Sequence, residues 1–223
     1  AGKTTLVASY LDARELPVIW YQVDSGDSDL ATFFYYMGLA GRAAAKRKRL
    51  ILPLLTPEYL SDLPGFTRRF FRNLFSTVSE PPILVLDNYQ EVIPGSVFHT
   101  VIDVVISELP LGYSLIAISR TDPPPQLARA LANNLIGQIN WNDLRLTLEE
   151  TKAIVATTGL LESTEETLQL LQEQTNGWIA GLVLMMERFK ETGAINHTYQ
   201  SETMGTVFNY FTGQVFEQLS EEM

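Results

Sequence analysis

Pro81-Pro82-Ile83-Leu84-Val85-Leu86-Asp87-Asn88 opens on two prolines, runs apolar without alternation and closes on an acid. A strand covered on both faces reads as continuous apolar sequence, the pattern of a buried parallel strand. Two more stretches share that texture, Pro17 to Val23 (PVIWYQV) and Ser114 to Ile118 (SLIAI). Between the first two, Leu30, Phe33, Phe34 and Met37 fall at i, i+3, i+4 and i+7, with Asp29 or Ser28 placed to cap the helix they imply. Strands alternating with helices predict an α/β domain, a parallel sheet flanked by helices and joined by right-handed crossovers. A further strand is expected near Leu135 to Ile139.

The residues at the start give this sheet a chemistry. Ala1-Gly2-Lys3-Thr4-Thr5 matches the second half of the phosphate-binding loop G-x-x-x-x-G-K-[ST], followed by a helix carrying Leu6, Val7, Tyr10 and Leu11. In such a loop, backbone amides and the helix N-terminus hold phosphate oxygens, the lysine reaches the β and γ phosphates, and the hydroxyl binds magnesium. The mapping gives Lys3 and Thr4 those last two roles; the first glycine and the strand feeding the loop are expected upstream of residue 1. Taken alone, this stretch also fits an ordinary capped helix. Asp87, at the carboxyl edge of its strand, is the matching acid, able to hold the magnesium directly or through water. Ser119 and Arg120 stand at the tip of the third strand, where ligands of open α/β sheets bind. There the arginine can offer a planar fork to a γ-phosphate.

Composition narrows the alternatives. The 223 residues are 46% apolar and 19% charged, enough to bury a core, and the lack of cysteine excludes disulfides, thiolate metal sites and cysteine nucleophiles. A net charge of −10 argues against direct contact with nucleic acid or an anionic membrane. No apolar run reaches the roughly 18 residues that span a bilayer and no signal pattern opens the chain, so a cytoplasmic protein is expected. Twelve of the twenty-six acids lie from Glu149 onward, against Lys152, Arg188 and Lys190, and only helical patterns follow there. The predicted organisation is an α/β domain over 1–146, a helical domain over 147–200 and the start of another domain over 201–223.

In the helical part, Thr147-Leu148-Glu149-Glu150 and Ser163-Thr164-Glu165-Glu166 match the capping box. Gly159 and Gly193 sit where helices should stop. Trp178, Leu182, Met185, Met186 and Phe189 keep the helical period, and three short helices are expected to end near Thr192. A last amphipathic stretch, Val207 to Leu219, runs on with no terminating signal.

These motifs together resemble the STAND group of signalling ATPases (NACHT- and NB-ARC-like), in particular the nucleotide-binding module of large LuxR-type and maltose-activator-type bacterial regulators. Beside G-K-T-T, L-D-N and I-S-R, the stretch from Trp20 to Asp29 is similar to that family's W-x-x-L-D-x-x-D-N, and Thr175 to Leu182 (TNGWIAGL) to its T-x-G-W-P-x-G-L. The resemblance implies a P-loop fold with a helical lid and the entry to a winged helix. It also implies ATP or ADP with Mg2+ bound between the α/β and helical domains, through Gly2, Lys3, Thr4, Thr5, Asp87 and Arg120. The turn of Gly177 and Trp178 would approach the adenine. By the same resemblance, the nucleotide state governs self-association, and DNA binding in transcription regulation belongs to another domain of the full protein. Two departures stand out. Asn88 replaces the second acid of many hydrolysing members, and a neutral amide is no general base, so hydrolysis should be slow or absent. Ile179 replaces the proline after Gly-Trp, removing a rigid adenine contact.

Other protein classes share parts of this motif set. A P-loop kinase would want a mobile basic lid, and the dense basic run, Arg42 with Lys46 to Arg49, reads as a solvated helix end, while Arg68, Arg69 and Arg72 read as a solvated helix face. An AAA+ motor usually places an arginine in its helical lid, whereas none lies between Arg145 and Arg188. A degenerate module acting as a protein-interaction platform also fits Asn88 and Ile179. Glu91 reads as a solvated loop acid rather than a substitute base. His99 and His197 lack ligand spacing.

Overall fold

The computed structural model describes residues 2–44, 52–76, 81–157 and 164–192, with the side chains of 188–192 left aside. The chain divides into two compact units, residues 2–138 and a second from Ile139 on. The first holds a three-stranded parallel sheet in the order β1 (Val18–Gln22), β2 (Ile83–Asp87), β3 (Ser114–Ala117). Val18 stands opposite Ile83 and Ile83 opposite Ser114, so all three strands end at one edge of the sheet. The central strand is buried from Leu84 to Asp87, which is why its sequence reads as unbroken apolar residues.

Helices cover both faces. On one, Leu11 of α1 (Lys3–Asp12) packs with Val85 and Ile118, while Leu6 and Tyr10 stay exposed. On the other, Leu84 and Leu86 join an aromatic core built from α2 (Leu30–Ala44), α3 (Leu63–Ser76) and α4 (Val97–Ser107). Phe34 meets Phe66 and Phe70 edge-on at 4.8 and 4.9 Å between ring centroids, and Phe33 meets Phe98 at 4.8 Å. Edge-to-face pairs of this kind each add about 0.5–1.5 kcal/mol beyond area burial. Asp29 caps α2 as expected, accepting from the Ala31 amide and the Thr32 hydroxyl. Asp62 does the same for α3, accepting from the Gly65 amide at 3.0 Å, with Pro64 in the first turn where its missing N–H costs nothing. Glu108, just past α4, receives Arg68 and Arg72 of α3 at 3.1 and 2.7 Å, so those arginines pair across helices rather than standing free.

The strand expected at Leu135 to Ile139 is absent. The segment leaves α5 (Ala128–Ala132) through Asn134 at φ +56, and Gly137 interrupts its apolar run. Leu135 and Ile139 remain more than half exposed, so the stretch gains too little burial to order as a strand.

In the second unit, α6 (Trp141–Leu144) precedes three helices, α7 (Leu148–Thr157), α8 (Glu165–Thr175) and α9 (Ile179–Thr192). Thr147 and Glu150 form the expected capping box, with Glu150 Oε2 accepting the Thr147 amide at 2.8 Å and Thr147 Oγ1 accepting the Glu150 amide at 3.2 Å. At α8 the cap is Thr164, whose hydroxyl accepts the Thr167 amide at 3.3 Å, one residue past the expected Ser163. Val155, Leu171, Leu182 and Met186 form the core between them. Ser163, Gly159, Gly193, His197, the run Lys46 to Arg49 and the proposed winged-helix start over 201–223 lie outside the described residues.

Candidate functional site

Gly2 holds φ +90, a left-handed conformation that glycine adopts without a Cβ penalty, and from it α1 starts directly at Lys3. The turn brings Thr4 onto the end of β2, where its hydroxyl donates to Asp87 Oδ1 at 3.0 Å across 83 positions of sequence. The same oxygen accepts the Asn88 amide at 2.9 Å, and Asp87 is 5% exposed. Lys3 is half-buried and Thr5 is exposed. Adjacent ligands of an octahedral Mg2+ at 2.0–2.1 Å stand about 2.9 Å apart. A hydroxyl and a carboxylate held at 3.0 Å are therefore hard oxygen donors at a spacing that fits that ion. No group of three or more His, Cys, Asp or Glu able to hold a metal occurs among the described residues. The rest of a magnesium shell would come from phosphate and water, the usual arrangement for this ion.

The loop after β2 ties this corner to the tip of β3. Asn88 sits at φ +58, which asparagine tolerates better than most residues, and the chain then turns through Tyr89 to Glu91. The Tyr89 amide donates to the Ile118 carbonyl at 2.9 Å, and the Arg120 amide donates to Gln90 Oε1 at 3.1 Å. Arg120 itself is exposed, and the ion pairs among the described residues engage neither it nor Lys3. Glu91 is exposed and accepts from Gln90 Nε2 at 3.1 Å, a solvated loop acid as its sequence suggests. His99, 2% exposed, is structural: Nε2 faces the Ile93 carbonyl at 3.1 Å and Nδ1 the Tyr89 hydroxyl at 3.0 Å. A ring that donates through Nε2 leaves Nδ1 to accept from tyrosine. Burial holds its pKa below the ordinary value and raises that of Tyr89.

At the same edge, the turn after β1 is fixed by a buried pair. Tyr21 donates to Asp27 Oδ1 at 2.5 Å while Asp27 Oδ2 accepts the Asp24 amide at 2.9 Å. Burial raises both the Tyr21 and the Asp27 pKa. Sequence reasoning passes over Gln90, because a single polar residue in a turn leaves no periodic signal, and although Asp27 falls within the Trp20 to Asp29 stretch, no spacing rule shows its bond to Tyr21 of β1. The exchange of a side-chain acceptor between two loops can be seen only once the strands are paired.

Gly177 and Trp178 lie in the helical unit, and their motif has work to do there. Asn176, at φ +51, ends α8, and Gly177, at φ +75, presses on the backbone of Leu146, whose amide donates to the Gly177 carbonyl at 2.9 Å. Arg145 donates from Nε to the Asn176 carbonyl at 3.0 Å and pairs with its side chain. The Trp178 indole is half-buried and lies over Gly181, where a Cβ would come 2.7 Å from the ring. Ile179 is exposed.

No protein-family model matches the chain. A search of curated proteins finds it 25% identical over 185 residues to the HTH-type transcriptional regulator MalT of Serratia proteamaculans (strain 568). The match covers 82% of this chain and 20% of that protein, so the chain spans about a fifth of its relative's length. No helix among the described residues is long and apolar enough to cross a membrane.

Proposed function

We propose that this chain is an ATP- and ADP-binding switch module, with Mg2+, of a cytoplasmic transcription regulator of the STAND type. The observation that carries the reading is the hydrogen bond from Thr4 to Asp87, which sets the hydroxyl of the G-K-T-T turn and the strand-end acid on one ion-sized spacing. Gly2, Lys3, Thr4 and Thr5 would hold phosphates at the start of α1, a helix of ten residues whose free amides favour anions. Thr4 and Asp87 would hold the magnesium, which neutralises phosphate charge when bound. Arg120 would report the γ-phosphate. Asn88 donates its amide to Asp87 and brings no base, which supports slow or absent hydrolysis. Gly177 and Trp178 enter the reading only through the likeness of their stretch to the family's. The similarity to a transcriptional regulator supports the cellular role, with DNA contact and self-association assigned to the full protein.

The test is equilibrium binding of ADP and ATP with magnesium to the protein that carries this chain, wild type and Lys3→Ala. Binding in the wild type and its loss in the variant are expected, with a nucleotide-dependent rise in melting temperature. At 100 times the dissociation constant, bound nucleotide adds about 2.7 kcal/mol to stability. A wild type that binds neither nucleotide would favour the degenerate interaction platform.

A further inference from the structure

The loop from Asn88 to Val92 touches both ends of the candidate site. It begins with the amide that holds Asp87 Oδ1, and it ends its reach at Gln90, whose Oε1 accepts the Arg120 amide. The orientation of the Gln90 carboxamide is set from both sides, because Nε2 donates to Glu91 Oε1 at 3.1 Å while Oε1 faces the Arg120 N–H. A flip would set donor against donor and acceptor against acceptor. The loop is firm beneath it: Tyr89 is bonded through its amide to Ile118 and through its hydroxyl to His99, and His99 also faces Ile93. Residue 120 thus takes its backbone direction from a side chain anchored in the loop that carries the metal-side acid. Gln90 is half-exposed, so its truncation removes this contact without opening the core.

We propose that Gln90 is a positioning residue for Arg120, setting the guanidinium for a γ-phosphate and so giving the module its preference for ATP over ADP. This rests on the nucleotide-switch reading above. ADP has no γ-phosphate, and its affinity should not depend on where Arg120 points. In Gln90→Leu the ratio of ADP to ATP dissociation constants should fall by about fivefold, with ADP affinity unchanged and the melting temperature lower by no more than the few degrees that one lost hydrogen bond costs. The paired exchange Gln90→Glu with Glu91→Gln keeps an acceptor for Arg120, a donor beside it and the net charge, and should restore the ratio. In an Arg120→Ala background, Gln90→Leu should have no further effect. A wild type that prefers ATP and a Gln90→Leu variant that prefers it equally would overturn the assignment. So would a further loss on adding Gln90→Leu to Arg120→Ala. A wild type that binds neither nucleotide would instead overturn the underlying reading, and this proposal with it.

Discussion

Gly177→Ala should destabilise the helical unit by about 2–5 kcal/mol. Gly177 holds φ +75, and a Cβ placed there would lie 2.8 Å from the Leu146 carbonyl oxygen, 3.0 Å from the Leu146 nitrogen and 3.1 Å from Arg145 Cβ. The left-handed conformation costs an L-residue about 1–2 kcal/mol. Forcing a methyl against packed atoms adds about 1–3 kcal/mol, and here two of the three are backbone atoms that cannot rotate aside. The hydrogen bond from the Leu146 amide to the Gly177 carbonyl would stretch with them. Gly95→Ala is the control, because Gly95 has φ +90 but nothing within 4 Å of its built Cβ, so only the conformational cost applies. Urea unfolding followed by hydrogen-exchange mass spectrometry reads each unit separately, on peptides from 146–157 and from 97–107. A Gly177→Ala cost no larger than that of Gly95→Ala would refute the claim that the Gly-Trp turn is closed by the Leu146 backbone.

Two further outcomes are expected. Burial holds the His99 pKa below 6.5, so the unfolded chain takes up a proton that the native ring refuses; stability is complete above pH 6.5 and is lost as pH falls from there toward the lowered native value. The slope is at most about 1.4 kcal/mol per pH unit, and His99→Gln should flatten it in denaturation curves at pH 7 and pH 5. Thr4→Val keeps the β-branched shape but removes the hydroxyl on Asp87, so magnesium should no longer strengthen ATP binding while metal-free binding persists; titrations with magnesium and with chelator measure this, and Thr4→Ser should behave as wild type.

The sheet was legible because β2 is covered on both faces, which leaves no alternation to read and makes the closing acid conspicuous. The same rule misleads at Leu135 to Ile139, whose composition is strand-like but whose Gly137 and left-handed Asn134 favour a loop. Helix α3 is harder to see, because Pro64 and Gly65 look like breakers unless Asp62 is recognised as the cap that makes a first-turn proline harmless. Its buried Phe66, Phe70, Phe71 and Leu74 do keep the helical period. Within the site, residue types at fixed spacing pointed to Lys3, Thr4 and Asp87, and pairing them is what a motif can express. The bond from Arg120 to Gln90 joins two loops that follow different strands, and no spacing rule covers it.

Asn88 occupies a turn at φ +58, where asparagine and aspartate are both tolerated. The backbone would therefore accept an acid at that position with little change in shape, one side-chain atom away from a general base beside Asp87. On the proposed reading, a latch that keeps its nucleotide and a timer that consumes it differ here by a single amide-to-acid exchange. On that same reading the turn geometry at residue 88 favours neither side chain, so durable and self-limiting signalling would be exchanged there without a change of backbone.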